Sequence, residues 1–139
     1  MRYMVVIEKS PRNYGASSPD VTGGVGIGKT LGEVTQSVRE GIGYALEEFV
    51  ERGEPLPEPT SWAIDVNGYA VPITKTPNGY RAEPPDLPFI VAAADTRKRV
   101  ESLVRETIET YLAWHCKRPP EPTAQIVYLD VEAPQPVSA

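Results

Sequence analysis

Residues 3–30 read YMVVIEKSPRNYGASSPDVTGGVGIGKT, and residues 69–96 read YAVPITKTPNGYRAEPPDLPFIVAAADT. Laid together without a gap, they share Tyr3/Tyr69, Val5/Val71, Ile7/Ile73, Lys9/Lys75, Pro11/Pro77, Tyr14/Tyr80, Ala16/Ala82, Pro19/Pro85, Asp20/Asp86, Val25/Val91 and Thr30/Thr96. The register continues through Val34/Val100, Val38/Val104, Arg39/Arg105, Glu40/Glu106, Ile42/Ile108 and Leu46/Leu112, giving 17 identities in 44 positions. Unrelated segments would give roughly 3 at background residue frequencies. After a shift of three residues, Pro57-Glu58-Pro59-Thr60 matches Pro120-Glu121-Pro122-Thr123. One small α/β unit is written twice, so each copy serves as a control for the other.

Each copy opens with a β-branched and aromatic strand, Tyr3–Glu8 and Tyr69–Thr74. Turn chemistry follows at Ser10–Asn13 and Thr76–Gly79, then a second strand at Tyr14–Ser17 and Tyr80–Glu83. Pro19-Asp20 and Pro84-Pro85-Asp86 break it, and a third strand is expected at Gly24–Gly28 and Phe89–Ala93. The apolar period then becomes helical: Leu31, Val34, Val38, Ile42, Ala45 and Phe49, echoed by Val100, Val104, Ile108, Tyr111 and His115. Thr30 with Glu33 forms a capping-box pattern, and Thr96 takes the same place in copy two. Gly53 stops the first helix and Pro119-Pro120 the second. Trp62–Val66 and Gln125–Val131 complete a β-β-β-α-β order, twice. With a crossover helix, the fourth strand is expected parallel to the first, in sheet order 3-2-1-4. Residues 1–66 and 67–131 are the expected units, in pseudo-twofold relation, with 132–139 as a flexible tail. Helix one is expected to bury Val34, Val38, Ile42 and Phe49.

The chain has 139 residues and a net charge of −5. At about 65 residues, a copy alone supports only a marginal core, which favours packing of the two together. An acidic surface argues against direct nucleic-acid binding and suits a basic partner. A single cysteine, Cys116, excludes an internal disulfide, and no signal peptide or bilayer-length apolar run is evident. The expected location is the cytoplasm.

Several motifs invite chemistry. Gly23–Thr30 fits the phosphate-loop pattern GxxxxGKT. The preceding Ser17–Thr22 is polar rather than a buried strand, however, and copy two places Phe89–Thr96 there, an ordinary strand and cap. The glycines are therefore expected in a flat, close-packed strand. One His and one Cys do not make a zinc site, so His115 is read as a packing histidine and Cys116 as an apolar filler. Arg97-Lys98-Arg99 opposes the dipole at the start of helix two and is read as a solvated cluster, with an acidic or phosphate surface as the functional alternative. Glu47, Glu48 and Glu51 make the end of helix one acidic.

The ordered set Tyr-x-Val-Val-Ile-Glu-Lys, Tyr14-Gly15-Ala16, Pro19-Asp20, Gly28–Glu33 and Glu51–Pro59 resembles the HicB family of antitoxin domains. Copy two resembles it through Pro85-Asp86-Leu87-Pro88, Ala94–Arg97, Val100–Tyr111 and Pro120-Glu121-Pro122. The family's usual Gly-Cys is replaced by Gly23-Gly24 and by Phe89-Ile90. The resemblance implies a partly degraded ribonuclease-H-like fold and a small basic partner of the HicA type, an mRNA-cleaving toxin whose catalytic site the antitoxin blocks. Such a fold, when active, places a metal-binding carboxylate inside strand one. Those positions hold Val5, Val6, Val71 and Pro72 here, and Asp65 and Asp130 lack that partner. Many members carry a C-terminal DNA-binding domain, and here the second copy occupies that place.

The reading is therefore an α+β, non-catalytic antitoxin or antitoxin-derived binding protein, without cofactor or metal. The alternatives are a toxin-less oligomeric scaffold or regulator and, in the enzyme class, a nucleotide binder through residues 23–30. The expected partner surface comprises Tyr14, Pro19, Asp20, Glu47, Glu48 and Glu51, with Tyr80, Pro85 and Asp86. Its prolines stiffen the loops and so lower the ordering cost of binding.

Overall fold

The computed structural model describes residues 1–114 and 118–134. His115, Cys116 and residues 135–139 of the tail lie outside them. In chain order the elements are β1 (Arg2–Lys9), β2 (Tyr14–Ser17), β3 (Val25–Gly28), α1 (Leu31–Glu51), β4 (Trp62–Val66), β5 (Tyr69–Thr76), β6 (Gly79–Ala82), β7 (Ala92–Ala94), α2 (Arg97–Trp114) and β8 (Gln125–Asp130). They form two four-stranded antiparallel sheets, ordered β3-β2-β1-β8 and β4-β5-β6-β7.

The sheet order matches expectation, but the fourth strands are exchanged. The strand following α1 joins the second sheet, and the strand following α2 joins the first. The compact units are accordingly Met1–Thr60 with the chain from Gln125 on, and Ser61–Ala124. They do not coincide with the contiguous stretches 1–66 and 67–131. Nor is the fourth strand parallel to the first: β8 runs antiparallel to β1, and β4 antiparallel to β5.

The cause is local. Only Asn67 and Gly68 separate β4 from β5, and both take positive φ, 52° and 89°. Two consecutive left-handed residues make a two-residue turn that matches strand twist and forces the flanking strands into a hairpin. Asp65 locks it by accepting the Gly68 amide at 3.0 Å. Once β4 is committed to β5, the open side of β1 is left for β8.

Despite the exchange, pairing is conserved between the sheets. Ile7 faces Ala16 as Ile73 faces Ala82, and Tyr14 faces Gly28 as Tyr80 faces Ala94. Val5 faces Val127 as Val71 faces Ile64. The third strand of the second sheet is later and shorter than expected. Leu87 and Ile90 are drawn into the core instead, and their amides close turns onto Pro84 and Leu87 carbonyls.

Each unit has its own core. In the first, Tyr3, Val5 and Ile7 of β1 pack with Val34, Val38, Ile42, Ala45 and Leu46 of α1. Phe49 is half-buried, so Ala45 and Leu46 finish that face instead; the Arg52 guanidinium lies 5.3 Å from the Phe49 ring centre. The second core joins Val71 and Ile73 to Val100, Val104 and Ile108 of α2. The Thr30 hydroxyl accepts the Glu33 amide at 3.1 Å, and the Glu33 carboxylate accepts the Lys29 amide at 2.8 Å. Gly53, at φ 69°, ends α1: its amide reaches the Val50 carbonyl and the Glu54 amide reaches the Phe49 carbonyl. This is a Schellman closure.

The segment Gly23–Thr30 is not a phosphate loop. Val25–Gly28 is an extended strand paired with β2, and the capping carboxylate already takes the Lys29 amide. Gly26 and Gly28 are required by packing, since a Cβ at either would overlap the α1 backbone at Val38 or Val34.

Candidate partner-binding surface

In the first unit, the loop after β2 is tightly bonded. The Ser18 amide reaches the Gly24 carbonyl at 2.9 Å, the Gly24 amide reaches Val21, and the buried Ser18 hydroxyl donates to the Met4 carbonyl at 2.9 Å. Val21 is sunk into the core, which leaves Pro19 exposed and Asp20 half-buried. The loop neighbours the second half of α1: Gly24 approaches Ile42, and Gly23 approaches Ala45. Pro19 and Asp20 thus lie toward the helix end that carries Glu47, Glu48 and Glu51, all three exposed. Tyr14, which opens β2 and packs against the core, is at the other end of the strand.

Asp20 and Asp86 each hold the chain that leaves the helix. The Thr60 hydroxyl donates to Asp20 at 3.3 Å. In the second unit, Asp86 accepts the Thr123 amide at 2.9 Å, the Thr123 hydroxyl at 3.0 Å and the Ala124 amide at 2.9 Å. Two tyrosines complete the clamp. Tyr3 donates its hydroxyl to the Pro57 carbonyl at 2.6 Å, and Tyr69 donates to the Pro120 carbonyl. Burial, reinforced by the charge of Asp20, raises the Tyr3 phenol above its ordinary value. The shared Tyr, Pro-Asp and Pro-Glu-Pro-Thr positions thus meet in space. Sequence reasoning missed the role of Tyr3 and Tyr69, although both stand first in the aligned pairs.

Tyr80 is half-buried and meets the Trp62 ring edge-on, with centroids 5.4 Å apart. Pro85 is half-buried beside Asp86. Two of the three cations opening α2 have local partners: Arg97 lies 4.1 Å from the Trp62 ring centre, and Arg99 pairs with Asp95 at 3.1 Å. Trp62 is itself fixed by donating to Glu101 at 2.7 Å.

At the acidic end of α1, the C-cap Arg52 lies over Phe49 and pairs with Glu54 at 3.9 Å. No basic residue lies in the last turn of the helix itself, and among the described residues no ion pair includes Glu47, Glu48 or Glu51. Acids at a helix C-terminus oppose the dipole, and Glu47 and Glu51 repel each other at i,i+4. Exposed Tyr44 and Glu40 continue this outward face, and Glu132 borders a recess shared with Glu47. Among the described residues no cluster suited to a metal ion is found, and no helix is long and apolar enough to cross a membrane.

Residues 3–68 match the family model described as HicB_like antitoxin of bacterial toxin-antitoxin system. Those residues belong to the HicB-like antitoxin family. The matched stretch includes β1–β3, α1 and the exchanged strand β4. An uncharacterized 14.9 kDa protein from the rep-hol intergenic region of Haemophilus phage HP1 (strain HP1c1) is 38% identical over 58 residues. That alignment covers 42% of this chain and 44% of the phage protein, so the chain spans less than half of that relative. A solved structure titled HicA3 and HicB3 toxin-antitoxin complex is 27% identical, with a TM-score of 0.38, over 42% of this chain and 69% of that one.

Proposed function

We propose that the chain is a non-catalytic cytoplasmic antitoxin that covers a small basic toxin of the HicA type. The observation that carries this reading is the match of residues 3–68 to the HicB-like antitoxin model. The α1 surface supports it physically. A net negative face steers a cationic partner and raises its association rate. Pro19, exposed on a loop already ordered by its own hydrogen bonds, adds contact area with little entropy left to lose. The partner surface is then Pro19, Glu47, Glu48 and Glu51 of the first unit, with Asp20 holding the connector beside it; Tyr14 at the far end of β2, and Tyr80, Pro85 and Asp86 in the second unit, are read as structural within their own units. The 17 shared residues and the matched strand registers favour a tandem duplication of a degraded ribonuclease-H-like unit. Val5, Val6, Val71 and Pro72 in the place of the metal-binding carboxylate argue against hydrolysis.

The test is inhibition of RNA cleavage by the purified product of a short basic reading frame neighbouring this one. Equimolar chain is expected to stop cleavage. A variant carrying Glu47→Lys, Glu48→Lys and Glu51→Lys is expected to need a large excess, most clearly at low salt. Cleavage that persists in excess chain would overturn the reading. A toxin-less scaffold or regulator is the second reading, favoured by the second unit standing where many family members carry a DNA-binding domain. Lack of any such neighbouring frame would favour it.

A further inference from the structure

The two units differ where each helix meets its outermost strand. In the first, Gly26 and Gly28 let the α1 backbone press onto β3, and Gly41 closes onto the Val25 carbonyl. The Ile27 amide, directed away from β2, donates to the Ser37 hydroxyl at 3.0 Å. The outer edge of β3 is thus filled by its own helix. In the second unit the corresponding residues are Ala92, Ala94 and Thr107, with Leu103 in the place of Ser37. Side chains at these positions leave no room for so close an approach, and the Leu103 side chain has no oxygen to accept the amide of Ala93, which the shared register places as it places Ile27. A groove opens instead, lined by Ala93, Ala94, Lys98, Ser102, Leu103 and Glu106. It passes Leu103 toward Ile90 and Tyr111. Leu103 in it is 41% exposed; Phe89, whose ring meets Tyr111, and Val91, between Ile90 and Ala92 in the chain, are 58% and 51% exposed.

An open strand edge beside apolar side chains is a template for another strand. We propose that the occupant is a second copy of this chain, bound through the same groove about a two-fold axis. The charges carry the choice. Lys98 and Arg99 precede Leu103 by about one turn, and Glu106 follows it by about one turn. Two α2 helices, antiparallel about Ser102–Leu103, set each copy's cations against the other's Glu106. Among the described residues, Arg99 is held meanwhile by the exposed Asp95. Ala93 lies alongside that centre, so the same axis runs β7 antiparallel to β7. One symmetry operator satisfies the strand edge, the apolar rim and the charges, and an isologous contact closes at two subunits. The first unit cannot form such a contact, because α1 occupies its strand edge. The inference is independent of the antitoxin reading.

Sedimentation velocity of the full chain tests it. The native chain is expected to dimerise with concentration. Ala93→Pro removes the amide at an edge position where proline is tolerated, and it is expected to give a folded monomer. Lys98→Glu with Arg99→Glu is expected to weaken the dimer by at least about tenfold through like-charge repulsion. Adding Glu106→Lys to that pair is expected to restore it, a rescue that a folding defect would not produce. A native chain that stays monomeric throughout would overturn the proposal. So would a dimer indifferent to Ala93→Pro and to the charge exchange. Loss of a basic partner by Ala93→Pro, with association of the chain unchanged, would assign the groove to that partner and overturn it too.

Discussion

Tyr3 illustrates how one side chain both buries area and fixes a connection. Its ring belongs to the first core while its hydroxyl ties down the Pro57 carbonyl. Because the folded state raises its phenol, its contribution is fully present below the ordinary value of 10.0 and is lost as pH rises through the folded value. Urea titrations across the alkaline range should show stability falling there, and Tyr3→Phe should flatten that fall. In the second unit Asp86 also fixes the connection after the helix. Asp86→Ala should cost about 1–3 kcal/mol, since it strands two amides and a hydroxyl that met a carboxylate. The aspartates recur because they clamp a connector, so their recurrence is no separate sign of a binding role. A partner assay using Asp20→Lys or Asp86→Lys would mix unfolding with lost contact, which makes the α1 glutamates the cleaner choice.

Among the elements, the helices followed from apolar spacing and threonine caps, and most strands from β-branched runs closed by Pro, Asn and Gly. What escaped sequence reading was pairing across the middle of the chain. Asn67-Gly68 is the strongest short hairpin signal, yet it falls at the boundary between the repeats, where the 1–66 and 67–131 division places a break. β7 moved because Leu87 and Ile90 were needed inside, a packing demand with no periodic signature. The acidic end of α1 was legible as composition; that, among the described residues, no ion pair includes Glu47, Glu48 or Glu51 became visible only with the fold. Glycines in α1 sort the same way. A Cβ at Gly41 would overlap the Val25 carbonyl, whereas one at Gly43 would meet open space. Thermal or urea unfolding should therefore give opposite signs: Gly41→Ala destabilising by about 1–3 kcal/mol through overpacking, and Gly43→Ala stabilising by about 0.5–1 kcal/mol through helix propensity.

At the scale of the molecule, the exchange of fourth strands makes a truncation act far from where it is cut in sequence. Removing residues 125–139 takes the edge strand from the first sheet. Amide exchange should then quicken in Arg2–Lys9 while Tyr69–Thr76, whose neighbour β4 remains, stays protected. Quickening confined to the second sheet would contradict the strand order. The pairing of Met1 with Val131 carries the same logic to the ends of the fold. The Met1 ammonium donates to the Val131 carbonyl, and the Val131 amide donates back to Met1, each at 2.7 Å. The polypeptide is in effect a ring, opened at this point rather than between Asn67 and Gly68. Sewing Val131 to Met1 through a short turn and cutting at Asn67-Gly68 would yield a circular permutant with the same succession of hairpins and helices. The succession of strands and helices can therefore be read from either hairpin, β1 with β8 or β4 with β5.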